Sequence, residues 1–159
     1  MRVGVDKLSR FRKLQPRERR ILLAALIELP LMALALRLLG FRRLQSALMK
    51  FGLRRRGDPG GSVLSSTAEA NTIEKLVSAA VNEGIYRANC LERSLTLWWL
   101  LRREGISSQL KIGVRKANDR LEAHAWIEFD GSVLNDDPAV HTDYSPFTQD
   151  IASLRAEIE

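Results

Sequence analysis

The chain of 159 residues contains one cysteine, Cys90, and two histidines, His124 and His141. A single cysteine cannot form an internal disulfide, and this set cannot supply the four Cys or His ligands of a structural zinc site. A chain of this length can bury a hydrophobic core without such crosslinks. We therefore expect one main domain without metal or cofactor, in a reducing cytoplasm.

Aromatic residues make up only 6% of the chain, and the basic segments contain few of them. Residues 1–60 carry 15 Lys and Arg against 4 Asp and Glu, whereas residues 61–159 carry 10 against 15. A basic surface of this kind can attract nucleic acid, an anionic membrane or an acidic partner, or simply be a solvated helix surface. Because single-stranded nucleic acid stacks on aromatic side chains set among basic ones, we expect no nucleic-acid partner.

An uninterrupted hydrophobic run of membrane-spanning length is also missing. The most apolar stretch, residues 21–39, has Glu28 and Pro30 near its middle and Arg37 near its end. A charge at the bilayer centre costs about 2.5–3.5 kcal/mol, which disfavours a spanning helix. We expect a buried or interface helix here, with peripheral membrane contact as the less favoured alternative.

Helical patterns fill the N-terminal part of the chain. Pro16 suits the first turn of a helix, and Pro30 is expected to kink or split that helix. A second helical segment, residues 41–51, has Gly52 as its stop. Residues 53–62 concentrate Arg, Gly, Pro and Asp and are the best linker candidate.

The linker divides the chain into a basic helical N-terminal extension, residues 1–60, and a second domain, residues 61–159. The second domain is predicted to begin with two helices, the first capped by residues 65–67 and the second running from an Asn89 cap to a stop at Gly105. Three strand patterns follow, at residues 108–116, 121–129 and 132–136. Strands joined by hairpins need no crossover helix, so the fold class is α+β with an antiparallel meander.

Cys90 directly follows the Asn89 cap. Helix N-termini stabilise a thiolate through their unpaired N–H groups, which can also bind the oxyanion formed on an attacked carbonyl. The alternative is a small buried residue that opens a core helix. Glu92 and Arg93, in the same first turn, could bind substrate or simply face solvent, and we expect them to face solvent.

A thiol nucleophile needs a base, and His124 is the better candidate. Strand alternation places it on one face with Trp126 and Glu128, where a rigid strand would hold the imidazole. The alternative is a half-exposed strand histidine without a role. His141 is expected in a surface loop, and the tryptophans are expected in the core and the site wall.

A carboxylate should orient the imidazole. If Asp130 and Gly131 form a two-residue turn, counting along the hairpin places Asp137 opposite His124. A bulge or a different turn length would bring Asp136 there instead, and the residue pattern leaves this open. Weaker options are Asn135 and Asp143.

The motifs of residues 83–136 occur in a recognisable order: a cysteine helix followed by "GI", an "IGVRK" strand, "AHAW" and "VLND". This order resembles the transglutaminase-like cysteine proteases of lasso-peptide biosynthesis, the leader-peptidase part of the B protein. The resemblance implies a transglutaminase-like (papain-like) core of helices packed on an antiparallel sheet. It also implies Cys90 as nucleophile, His124 as general base and acid, and Asp136, in preference to Asp137, as the orienting carboxylate.

The resemblance further implies a substrate and partners. The substrate would be a ribosomally made precursor whose leader is removed before an ATP-using cyclase closes the macrolactam. Residues 1–60 lack the pattern of a winged-helix recognition domain, so a separate protein would deliver the leader, and the N-terminal helices are candidates for docking that protein or the cyclase. The alternatives are an acyltransferase or transamidase with the same triad, and a non-enzymatic peptide-binding scaffold.

Overall fold

Helices pack beside a small antiparallel sheet in the computed structural model, which describes residues 11–51, 63–117 and 120–146. After a helical turn at residues 11–13, the elements in chain order are α1 (Pro16–Phe51), α2 (Val63–Glu83), α3 (Cys90–Arg103), β1 (Gln109–Ala117), β2 (Arg120–Phe129), β3 (Ser132–Val133), α4 (Val140–Asp143) and β4 (Ser145–Pro146). The predicted linker at residues 53–62 and the stop at Gly52 lie outside the described residues. The α+β prediction is confirmed.

The sheet has the strand order β3-β2-β1-β4 and antiparallel pairing throughout. β2 pairs with the whole length of β1, and Gly113 lies opposite His124. Asp130 and Gly131 form the predicted two-residue turn, because both have positive φ angles, 49° and 75°, as a type I′ turn requires.

The helical conformation of α1 is interrupted at Gly40, not at Pro30. Gly40 has φ 73° and ψ 164°, whereas the helix continues through Pro30. The predicted site of the split was therefore wrong. Pro30 is exposed, so water can bind the carbonyl that its missing N–H leaves unpaired. Glycine adopts a positive φ at little cost, and nothing lies within 4 Å of the place a Cβ would occupy at Gly40.

The ends of the other helices also test the sequence patterns. Gly105 follows α3 with φ 83°, and the Ile106 N–H donates to the Leu101 carbonyl, so the predicted stop is confirmed. The predicted cap at residues 65–67 is wrong, because α2 already begins at Val63. Serine and threonine are tolerated inside a helix, where their hydroxyls can bond a carbonyl one turn back.

One hydrophobic core joins α1 to the rest of the protein. Its buried members come from all three long helices and from β2, and they include Ile21, Ala25, Leu29, Ile73, Val77, Leu97, Leu101 and Ile127. A second cluster of Met32, Leu44 and Leu95 connects the parts of α1 before and after Gly40 to α3. Helix α3 is thereby held against β2, and this packing positions the site.

Candidate active site

The start of α3 is determined by a capping box around Cys90. The Glu92 N–H donates to Asn89 Oδ1 at 2.9 Å, and the Asn89 N–H donates to Glu92 Oε2 at 3.0 Å. These reciprocal bonds satisfy two backbone donors and stop the helix from starting elsewhere. Cys90 is therefore the first helical residue, as the sequence predicted, and it is half-buried.

Glu92 and Arg93 do not simply face solvent, so that prediction was wrong. Glu92 is buried, because its carboxylate closes the capping box and also accepts a hydrogen bond from the Tyr86 hydroxyl at 2.8 Å. This bond to Glu92 raises the pKa of Tyr86. Arg93 donates to Glu74 at 3.0 Å and to Ser78 at 2.7 Å, which ties α3 to α2.

The imidazole of His124 contacts Asp136, with Nε2 against Oδ2. The Asp137 carboxylate points elsewhere: it accepts a hydrogen bond from the Ala139 N–H at 2.8 Å. The Asp137 N–H in turn donates to Asp136 Oδ1 at 2.8 Å. The hairpin count that favoured Asp137 is therefore not realised, and Asp136 is the carboxylate next to the imidazole.

The pairing of β2 explains this difference. The Leu134 N–H still donates to the Ile127 carbonyl at 2.9 Å, as the hairpin count requires. At the next step, however, the Ile127 N–H donates to the side-chain oxygen of Asn135 at 2.8 Å. A side chain thus replaces a backbone partner, the strand ladder ends, and the chain turns early enough to bring Asp136 to His124.

Ser94 and Asn135 connect α3, β2 and the turn into one buried network. The Asn135 amide donates to Ser94 Oγ at 2.8 Å, and Ser94 Oγ donates to the Ala125 carbonyl at 2.8 Å. Ser94 is completely buried and Asn135 is 7% exposed. Ser94 lies one helical turn after Cys90, so the cysteine end of α3 runs beside the segment of β2 that contains His124.

Aromatic rings enclose His124 on two sides. Trp126 stacks on the imidazole with 6.5 Å between ring centroids, and the Tyr144 ring lies 5.1 Å away. Across the ladder, a Cβ on Gly113 would come within 2.9 Å of both Trp126 and Tyr144. The absence of a side chain at Gly113 therefore allows Tyr144 to approach, a requirement that the sequence reasoning missed.

His141 lies in α4 and not in a loop, which corrects that expectation. Its ring meets Trp126 edge-on at 6.2 Å, and its Nδ1 is 3.4 Å from Glu128 Oε1. The same carboxylate oxygen accepts a hydrogen bond from Trp126 Nε1 at 2.9 Å. His141 and Glu128 thus support the buried tryptophan on which His124 stacks.

The chemistry available here is that of an imidazole oriented by a carboxylate. With Asp136 against Nε2, the other ring nitrogen, Nδ1, is left to accept a proton. Cys90 Sγ has no hydrogen-bond partner among the described residues. In the same part of the chain, no group of three or more His, Cys, Asp or Glu residues could hold a metal ion.

Comparison with known proteins identifies the family. Residues 32–149, about three quarters of the chain, match the family model described as the transglutaminase-like superfamily. Neither a curated protein nor a solved structure gave a significant match. The matched region contains β1 and β2, the helix that begins at Cys90, and the contact between His124 and Asp136. The chain therefore belongs to the transglutaminase-like superfamily, which generally contains cysteine hydrolases and acyltransferases.

Proposed function

We propose that the protein is a cysteine peptidase that removes the leader from a ribosomally synthesised lasso-peptide precursor in the cytoplasm. The observation that supports this most directly is the contact between His124 and Asp136 beside the helix that begins at Cys90. Membership of the transglutaminase-like superfamily supports the use of cysteine chemistry. The motif order in residues 83–136 supports the substrate class.

In this proposal Asp136 holds the Nε2–H of His124, so that Nδ1 faces the thiol. Nδ1 takes the proton of Cys90, and the thiolate attacks the carbonyl carbon of the bond between leader and core. Helix geometry leaves the N–H groups of Cys90 and Leu91 without a partner inside the helix. Those two groups are the candidate donors to the oxyanion of the tetrahedral intermediate.

The remaining steps return every group to its starting state. The imidazolium of His124 gives its proton to the departing amine, which becomes the N-terminus of the core peptide, and an acyl-enzyme on Cys90 remains. His124 then deprotonates a water molecule, which attacks the acyl carbon. Collapse of the second intermediate releases the leader with a free carboxyl terminus and restores the thiol.

The exposure of the site suits an extended peptide substrate. The side chains of His124 and Asp136 are 24% and 29% exposed, and Cys90 is half-buried. A leader could therefore be presented to them by another protein without an opening movement of the domain. We propose a separate leader-recognition protein as that partner, with the macrolactam cyclase as a further one.

The test is cleavage of a cognate lasso-peptide precursor in the presence of the leader-recognition protein. Cys90→Ala should abolish cleavage while circular dichroism and the unfolding midpoint stay those of the wild type. Cleavage at the wild-type rate by the folded Cys90→Ala protein would refute the proposal.

Acyl transfer is the second candidate, because the superfamily generally includes acyltransferases as well as hydrolases. The acyl-enzyme on Cys90 would be the same, and an amine instead of water would attack it. Mass spectrometry of the products separates the two reactions. Hydrolysis yields a leader with a free carboxyl group, whereas transfer yields a leader joined to the amine through a new amide.

A further inference from the structure

An apolar stripe runs along the solvent side of α1. Between Arg20 and Arg37, a segment described throughout, every exposed residue is apolar. The most exposed of the large side chains are Leu23 (48%), Ile27 (60%), Leu31 (55%) and Leu34 (52%), and Leu38 (73%) continues the stripe after Arg37. Their spacing of three or four residues places them on one face, opposite the face that enters the core. We call these five residues the apolar stripe.

Glu28, the only ionisable residue between Arg20 and Arg37, does not interrupt the stripe. Its carboxylate points inward, where Oε1 forms an ion pair with Arg103 of α3, and Oε2 is buried without a hydrogen-bond partner in the described structure. Burial raises the pKa of Glu28, although Arg103 acts in the opposite direction. The charge that argued against a spanning helix in the sequence is thus removed from the exposed face.

Cationic side chains flank the apolar stripe at both ends. The exposed basic residues before Leu23 are Arg12, Lys13, Arg17 and Arg20, of which Arg17 is paired with Glu69 and Glu104. Those after Leu34 are Arg37, Arg42, Arg43 and Lys50. The acidic residues between positions 11 and 51 are Glu18 and the inward-facing Glu28. An apolar helix face bordered by Arg and Lys matches the boundary between acyl chains and anionic head groups.

The helix cannot bind lipid by crossing the bilayer while the domain stays folded. By length and composition α1 could span a membrane, and only 28% of its most apolar 18-residue stretch is buried. Its opposite face, however, is packed into the core through Ile21, Ala25 and Leu29. Arg17 also donates to Glu69 of α2 at 2.9 Å. These contacts leave only an orientation in the membrane plane.

We propose that the apolar stripe of α1 docks the protein onto the surface of an anionic bilayer. The helix would lie parallel to the membrane, with the five apolar side chains at the acyl boundary and the flanking arginines at the lipid phosphates. The stripe from Leu23 to Leu38 is about 22 Å long at 1.5 Å per residue. This inference does not depend on the proposed peptidase activity, because it uses no residue of the candidate active site.

Vesicle sedimentation tests the proposal with the full chain. We expect the protein to pellet with vesicles of phosphatidylglycerol and phosphatidylcholine, to pellet much less with phosphatidylcholine alone, and to be released by salt. Ile27→Glu combined with Leu34→Glu should lower the partition coefficient about tenfold or more. The matched control, Leu121→Glu with Ser107→Glu, adds the same charge at exposed positions away from α1 and should bind nearly as well as the wild type.

Unfolding midpoints must show that both double variants are folded. Pelleting that is equal with and without the anionic lipid, or equally weakened in the two double variants, would overturn the proposal. Light scattering without lipid measures whether the protein forms a dimer. A dimer that Ile27→Glu with Leu34→Glu dissociates would assign the stripe to a second copy of the chain and would also overturn it. Cys90→Ala should bind vesicles like the wild type.

Discussion

The amide of Asn135 donates a hydrogen bond to the hydroxyl of Ser94, and both side chains are buried between α3 and β2. Asn135 also accepts the Ile127 N–H, and Ser94 also donates to the Ala125 carbonyl. Two side chains thus satisfy backbone groups that β3 is too short to reach. Asp136 directly follows Asn135 in sequence, and Cys90 lies one helical turn before Ser94 on α3. The network therefore connects the candidate catalytic groups.

Removing either member of this network should therefore destabilise the protein. Ser94→Ala and Asn135→Ala each leave buried polar groups unpaired, at a cost of about 1–3 kcal/mol in the free energy of unfolding. Because both variants break the same bond, the cost in the double variant should be less than the sum of the single costs by about 0.5 kcal/mol or more. Chemical denaturation measures all three values, and strict additivity would show that the two side chains act independently.

Asp136 and Asp137 provide a matched pair for testing the orienting carboxylate. Asp136→Asn should lower kcat by about 100-fold or more, because the neutral amide no longer stabilises an imidazolium at His124. Asp137→Asn keeps an oxygen that can accept the Ala139 N–H bond and should change kcat by less than about fivefold. The measurement is the rate of precursor cleavage at saturating substrate. A larger loss in Asp137→Asn would reverse the assignment.

Gly113 should not tolerate even a methyl group. In Gly113→Ala the new Cβ would lie 2.9 Å from Trp126 and from Tyr144, so the free energy of unfolding should fall by about 1–3 kcal/mol. Gly131→Asn is the control, because nothing lies within 4 Å of its Cβ position and asparagine tolerates a positive φ. Urea denaturation followed by tryptophan fluorescence compares the two. Equal losses would show that close packing at Gly113 is not the cause.

Glu28 should make stability depend on pH. Burial raises its pKa above the value of 4.5 for a free side chain, so the folded state binds a proton more readily than the unfolded state does. The contribution of Glu28 to stability is therefore greatest below about pH 4.5 and is lost as the pH rises through the folded-state pKa. Glu28→Gln removes this contribution. The wild type and Glu28→Gln should accordingly show different pH slopes above pH 4.5 in chemical denaturation, and identical slopes would contradict the assignment.

Much of the candidate site could be predicted because its parts are local in sequence. The Asn89 cap is a property of four consecutive residues, and the Asp130-Gly131 turn is a property of two, so both are encoded where they occur. Strand alternation likewise placed His124 and Trp126 on one face. The catalytic roles of Cys90, His124 and Asp136 stay predictions until the variants are measured.

Features that join distant segments were decided only by the tertiary structure. Asn135 ends the ladder by bonding Ile127, and this brings Asp136 instead of Asp137 to His124. Counting residues along the hairpin could not predict this bond, because the Asn135 side chain is held in place by Ser94 of α3. The requirement for glycine at position 113 likewise comes from Tyr144, which lies 31 residues later in the chain.

The same distinction governs α1. Its composition alone determined that the helix is apolar with basic ends, and that Glu28 interrupts it in sequence. Which way Glu28 points was decided by Arg103 of α3, a residue 75 positions away. Helical periodicity gives the angle between side chains, but the face that becomes the core depends on what the rest of the chain packs against it.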